Sequence, residues 1–166
     1  YIVLTTLIVS CGNAAQERML KDIKQMEANK SLATSDTLIH SYVDFANKFP
    51  QHEFAVKYLF KAAEASIKSN RSMQGIKLYE RVANEYHDTA LCPEALIRAG
   101  VGYSTIPDQV NSKRMFDQFI RQYPEHRRIG DVKKMSEYSG LTEEELIRRV
   151  IESNQKLQQD SAQKLQ

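Results

Sequence analysis

The chain has 166 residues, 42% of them hydrophobic and 27% charged, which is the make-up of one soluble globular domain. Its 23 basic and 21 acidic residues leave a net charge of +2, which excludes the strong field and basic stripe of a nucleic-acid-binding protein. Six glycines and four prolines are few for this length, so long uninterrupted elements are expected.

The N-terminus reads as an address. Tyr1 to Ser10 is an uncharged, mostly apolar run that ends at Cys11. It is too short to cross a bilayer, which takes about 20 residues, and it has the length of a signal-peptide hydrophobic region. No basic segment precedes it, so residues 1–10 are read as part of a signal peptide whose start is missing. Ile8-Val9-Ser10-Cys11 resembles the lipobox of bacterial lipoproteins. That resemblance implies cleavage before Cys11 and lipidation of Cys11 on its sulfur and new amino group. Several acyl chains anchor stably, because each buried methylene contributes roughly 0.8 kcal/mol. Residues 11–16 would be a short lipidated tether. No aspartate follows Cys11, which by the same resemblance points to the periplasmic face of the outer membrane. An oxidising compartment also leaves a disulfide between Cys11 and Cys92 open.

The rest of the chain, residues 17–154, reads as helices. A first helix is expected from about Gln16 to Ala28, then a loop from Asn29 to Ser35. Ser35 caps a second helix, Asp36 to Lys48. Two helix pairs follow: Glu53–Lys68 with Ser72–Tyr86, and Pro93–Ser104 with Gln109–Tyr123, Pro93 being suited to a first turn. A short helix, Ile129 to Tyr138, ends near Gly140, a candidate C-cap. Thr142 and Glu145 form a capping box for a last helix from Glu143 to about Asn154. Residues 155–166 are a polar, low-complexity tail that extends this helix or frays.

A repeat organises these helices. An aromatic turn recurs at Phe49-Pro50-Gln51-His52, Tyr86-His87-Asp88 and Tyr123-Pro124-Glu125-His126, spaced 86 − 49 = 37 and 123 − 86 = 37. Upstream of each lies a ladder read at i, i+3 and i+7: Tyr42, Phe45, Phe49; Tyr79, Val82, Tyr86; Phe116, Phe119, Tyr123. That spacing puts the three side chains on one helical face, where they are expected to fill the interior. A period of this length indicates a solenoid of helix hairpins.

Gly100, Tyr103, Ser112, Phe116, Phe119 and Pro124 match the tetratricopeptide (TPR) pattern in frame, and Ala63, Ser66, Gly75, Tyr79, Val82 and His87 match it more loosely. Ser66 replaces an aromatic, His87 replaces the proline, and the period exceeds the usual 34. Ala63/Gly75 and Gly100/Ser112 are where two backbones must approach closely. The period and the Tyr-Pro-Glu-His turn resemble TPR-like outer-membrane lipoproteins, the group that includes the barrel-assembly lipoprotein subunit. The resemblance covers about residues 35–150. It implies an all-α fold, a right-handed TPR-like solenoid of antiparallel helix pairs. It also implies a groove lined by the first helices, with Lys57, Phe60, Glu64 and Ile67 in one repeat and Glu94, Ile97, Val101 and Ser104 in the next.

Candidate chemistry is sparse. There is no phosphate loop, nucleophile elbow or metal-spaced Cys/His set. His52, His87 and His126 lie in the repeat turns, where a polar group can take free backbone donors of the next helix; His40 stands apart. Glu143-Glu144-Glu145 suits a helix start. Cys92, ahead of Pro93, is read as a packed, inert thiol. The expectation is therefore a non-enzymatic scaffold without cofactor or metal. It would bind a protein or peptide partner in the envelope, engage the membrane through its acyl chains and bind no nucleic acid. Outer-membrane protein assembly is the leading pathway. Coordination of envelope constriction with peptidoglycan, and glycan capture, are the other readings, the latter disfavoured by the absence of tryptophan.

Overall fold

The structure, a computed structural model, describes residues 2–163; the side chains of residues 2–12, 157 and 160–163 lie outside that description. The described residues form eight α-helices and no strand: α1 (Ile2–Ala28), α2 (Asp36–Lys48), α3 (Glu53–Lys68), α4 (Ser72–Glu85), α5 (Cys92–Thr105), α6 (Gln109–Gln122), α7 (Ile129–Ser139) and α8 (Glu143–Gln163). A single 3-10 turn, Lys30–Leu32, sits between α1 and α2. The all-α expectation holds.

Local chemistry sets the helix ends. Ser35 Oγ accepts the Leu38 N–H at 3.2 Å, and the Asp108 carboxylate accepts the Asn111 N–H at 3.1 Å. At α8 the expected reciprocal box forms: Thr142 N–H donates to Glu145 Oε2 at 2.8 Å, and Glu145 N–H donates to Thr142 Oγ1 at 3.3 Å. The α3–α4 connection closes with Asn70 at φ 61°, the left-handed region that asparagine tolerates. This lets Arg71 N–H reach Ser66 O (2.9 Å) and Asn70 N–H reach Ile67 O (3.1 Å), the paired bonds of a Schellman ending. Gly140 ends α7, but at φ −93°, so its freedom to turn left-handed is not used there.

Two helices are longer than the sequence suggests. The first is continuous from Ile2 through the segment read as a tether, where Ala14 and Ala15 favour helix and no proline intervenes. The polar tail continues α8 as far as Gln163. None of the described helices is long and apolar enough to cross a membrane.

The 37-residue period is written into the backbone. Phe49, Tyr86 and Tyr123 share one conformation (φ −130°, −128° and −129°), and each N–H closes the helix onto the carbonyl of Phe45, Val82 or Phe119. After each, the same bond recurs three residues on: His52 N–H to Phe49 O, Thr89 N–H to Tyr86 O, His126 N–H to Tyr123 O, at 3.0–3.1 Å. The first two rungs of each ladder are buried, Phe45, Val82 and Phe119 fully, while Phe49, Tyr86 and Tyr123 pack against that core half-buried.

Helices pack on their neighbours in sequence, α1 on α2 and so on to α6 on α7. Within the α3–α4 pair, Phe60 meets Tyr79 while Ala63 meets Gly75, so contacts converge on the connection and the helices run antiparallel. A Cβ on Gly75 would lie 2.8 Å from the Ala63 carbonyl oxygen, and one on Gly100 would lie 2.5 Å from Phe116 Cε1. Ser112 Oγ donates to Gly100 O at 2.9 Å. Both close approaches expected of the small residues are therefore present. A third, Gly102 against Ile76 at 2.5 Å for a Cβ, joins α5 to the preceding pair.

Candidate functional site: a cleft on the first helices

Successive first helices α1, α3 and α5 carry an ion-pair ridge with the period of the fold. Lys61 Nζ meets Glu27 Oε1 at 2.6 Å, and Arg98 Nη1 meets Glu64 Oε1 at 3.3 Å; 27 + 37 = 64 and 61 + 37 = 98, so these are one pair repeated. The cation of each also lies over an equivalent ladder tyrosine, Lys61 over Tyr42 at 6.0 Å and Arg98 over Tyr79 at 5.9 Å. Burial works against the Glu27 charge, but hydrogen bonds from Lys61 and the Tyr42 hydroxyl outweigh it and hold the carboxyl below its usual range. One period further the pair is gone. Val101 stands in the acid's position and Met135 in the cation's, and Tyr138 follows Val101 by another 37 residues. Val101 is 43% exposed and Tyr138 49% exposed. The ridge thus changes from charged to apolar at α5.

A cleft of about 320 Å3 opens at that change, among α3, α4, α5 and the start of α7. Its apolar wall is Ile67 (37% exposed) and Val101, with buried Ile97 below. Its polar rim is a chain of charges: Arg98 Nε bonds Glu94 Oε1 at 2.8 Å, and Arg128 Nη1 bonds Glu94 Oε2 at 2.9 Å.

Of the eight groove residues expected from the sequence, four line this cleft: Ile67, Glu94, Ile97 and Val101. Glu64 joins the rim through Arg98, while Lys57 and Ser104 are exposed outside the cleft, Lys57 beside Glu53 and over the Phe54 ring. Phe60 and Ile97 differ from exposed anchors, being 9% and 2% exposed. Phe60 is edge-on to Tyr79 and is covered by the Arg98 guanidinium 5.4 Å from its ring centre. Among the eight, the exposed apolar side chains are Ile67 and Val101. Arg98, which both covers Phe60 and builds the rim, was missed by the sequence reading; its position one period after Lys61 was the available signal.

The remaining candidates have structural partners. His52 Nδ1 accepts the Phe54 N–H and His126 Nδ1 accepts the Arg128 N–H, both at 3.1 Å and both edge-on to the ladder phenylalanine before them. His87 instead pairs with Asp88 at 3.1 Å, and its carbonyl accepts the Tyr123 hydroxyl. Cys92 is fully buried; burial pushes its thiol up, against a hydrogen bond with Tyr123. The Cys11 side chain lies outside the described residues. Among the described residues, no three His, Cys, Asp or Glu side chains converge as a metal site would need.

Fold and cleft together describe an all-helical repeat-like array with an apolar, charge-rimmed opening beside α3 and α5. In comparisons with known proteins, no family model matches the chain, and no curated protein matches it.

Proposed function

We propose that this chain is a lipid-anchored scaffold, a right-handed TPR-like solenoid that holds a protein or peptide partner at the cell envelope. The supporting observation is the cleft: Ile67 and Val101 expose apolar surface over buried Ile97, beside an ordered Glu94–Arg98–Arg128 rim. Exposed apolar surface of this kind favours a ligand that buries it, and fixed charges orient what binds. Anchoring through Cys11 at the periplasmic face of the outer membrane, and a place in outer-membrane protein assembly, rest on the lipobox-like segment and on the turn and period. The charged groups of the cleft are engaged with one another, as suits a binding surface rather than a reaction centre.

The test is copurification from gently solubilised envelopes, read by mass spectrometry, for the wild type and Ile67→Asp/Val101→Asp. The double variant should lose most of the wild-type partner set while keeping its helicity and melting temperature. An unchanged partner list would overturn the reading.

A further inference from the structure

The helices α4 and α6 share one core pattern: two large apolar residues, two others, then two more apolar residues. It reads Leu78-Tyr79-Glu80-Arg81-Val82-Ala83 in α4 and Met115-Phe116-Asp117-Gln118-Phe119-Ile120 in α6, one period of 37 apart. The apolar members are buried in both helices, except Ile120, which packs half-buried against the core. The same pattern stands in α8 as Leu146-Ile147-Arg148-Arg149-Val150-Ile151, but 146 − 115 = 31 residues on from α6, six early.

The hairpin geometry accounts for those six residues. Buried Val132 and Ser136 follow buried Ala95 and Ala99 by 37, so α7 keeps the period of α5. One period after Thr105, the end of α5, is position 142, yet α7 stops at Ser139, three residues sooner. A hairpin whose first helix is three residues shorter turns about 4.5 Å lower. Its second helix starts three residues sooner, at Glu143, and then reaches any given level after three residues fewer. The two steps make six. A folded-back α8 therefore sets Leu146, Ile147, Val150 and Ile151 level with Met115, Phe116, Phe119 and Ile120.

The structure holds this helix open. Ile147, Val150 and Ile151 are 55%, 56% and 51% exposed, and every described side chain from Ile147 to Gln159 is exposed. The face of α6 that a further second helix would cover is open too. A groove of about 530 Å3 runs along Gln109, Lys113, Asp117 and Arg121 to the turn at Gly140. On α4 the equivalent face is covered, with Glu80 buried against Arg114 of α6, whereas Asp117, one period on, is half-buried. The turn also has the means to reverse. The α3–α4 turn does so through Asn70 at φ 61°, while Gly140 lies at φ −93° and can turn left-handed without steric cost.

We propose that α8 is a hinged closing helix, which folds back about Gly140 into the groove beside α6 and completes a third helix pair. The open form alternates with this closed one. Closing hides the Ile147–Val150–Ile151 stripe and the groove together. It places Arg148 and Glu152 where α6 has Asp117 and Arg121, which gives the array the polar end face that a terminal repeat needs. The device is separate from the cleft beside α3 and α5.

Pulsed electron-spin distance measurement tests it, with nitroxides at Gly130→Cys and Asn154→Cys in the full chain carrying Cys11→Ser. A Cβ at Gly130 meets nothing within 4 Å, Asn154 is exposed, and Cys92 is fully buried. Folding back as α4 does on α3, where Phe60 meets Tyr79, brings Asn154 beside the start of α7. The labelled chain should give two distances, a long one from the open form and a short one from the closed form. Adding Ile147→Asp/Val150→Asp, both at exposed positions, should remove the short distance and keep the helical signal. A long distance alone, or a short one that survives in that variant, would overturn the proposal. So would a short distance between singly labelled chains mixed together, which would mean that α8 enters a second copy. Either failure leaves the reading of the cleft untouched, because that rests on Ile67→Asp/Val101→Asp and its envelope partners.

Discussion

At the scale of single residues, small side chains and satisfied charges set the spacing of the helices. Gly100 lies under the Phe116 ring, and Ser112 Oγ bonds its carbonyl, so no side chain fits between α5 and α6 there. Gly100→Leu should overpack this contact and cost about 1–3 kcal/mol, read as a lower melting temperature with the helical signal retained. An unchanged melt would refute the register of the pair. Glu80 is the most enclosed acid of the inter-helix network, 8% exposed, between Lys77 on its own helix and Arg114 on α6. Burial alone would raise its pKa, but hydrogen bonds from Lys77 and Arg114 prevail and lower it. A depressed folded pKa stabilises the fold above the unfolded carboxylate value, near 4.3, and that contribution fades as pH falls through the folded value. Glu80→Gln should therefore melt below wild type at neutral pH and approach it in acid. A constant difference across pH 3–7 would mean that the charge of Glu80 does not stabilise the fold.

At the scale of elements, legibility followed the range of the forces. Helix starts were readable because Ser35 and the Thr142–Glu145 pair act within three residues of themselves. The ladder was readable because three residues over two turns of one helix decide which face is buried. The turn histidines were readable in kind, and His52 and His126 fill that role while His87 does not, since it stands one period from Pro50 and Pro124 and the position equivalent to His52 and His126 is Thr89. The state of Phe60 was not readable. Its cover, Arg98, comes from the next repeat, 38 residues away, and only the packed array brings them together. The length of α8 was obscured by a polar tail with helix-forming residues but no packing pattern. Because α8 is mostly exposed among the described residues, its cap should matter locally. Thr142→Ala should cost about 0.5–2 kcal/mol of α8 stability, seen as faster amide exchange in its first turns, with the global melt unchanged. A matching drop in global stability would show that α8 is integral to the array.

At the scale of the whole molecule, two consequences follow from how the chain is laid out. If the lipobox-like segment is processed, Cys11→Ala in a chain with its complete signal should release the protein from membranes or leave it unprocessed. A mature alanine form that still needs detergent would refute lipid anchoring. The second consequence is energetic. From α1 to α7 each helix packs on its neighbours in sequence, so stability is a sum of pair terms and adjoining interfaces, not one undivided core. The centre has most to lose. There α3, α4 and α5 are each packed on both sides, with fully buried Leu59, Ile76 and Leu96, whereas the described part of α1 contributes Ile23 as its one fully buried large side chain and α8 contributes none. Hydrogen exchange under native conditions should therefore rank protection outward from α3–α5, falling through α6 and α7 to α8 at one end and toward α1 at the other. A destabilising change at the C-terminal end, such as Val132→Ala on α7, should speed exchange in α6 and α7 while leaving α3 slow. If that change instead raised exchange equally in every helix, the molecule would unfold as one unit, and the nearest-neighbour account of the array would fail.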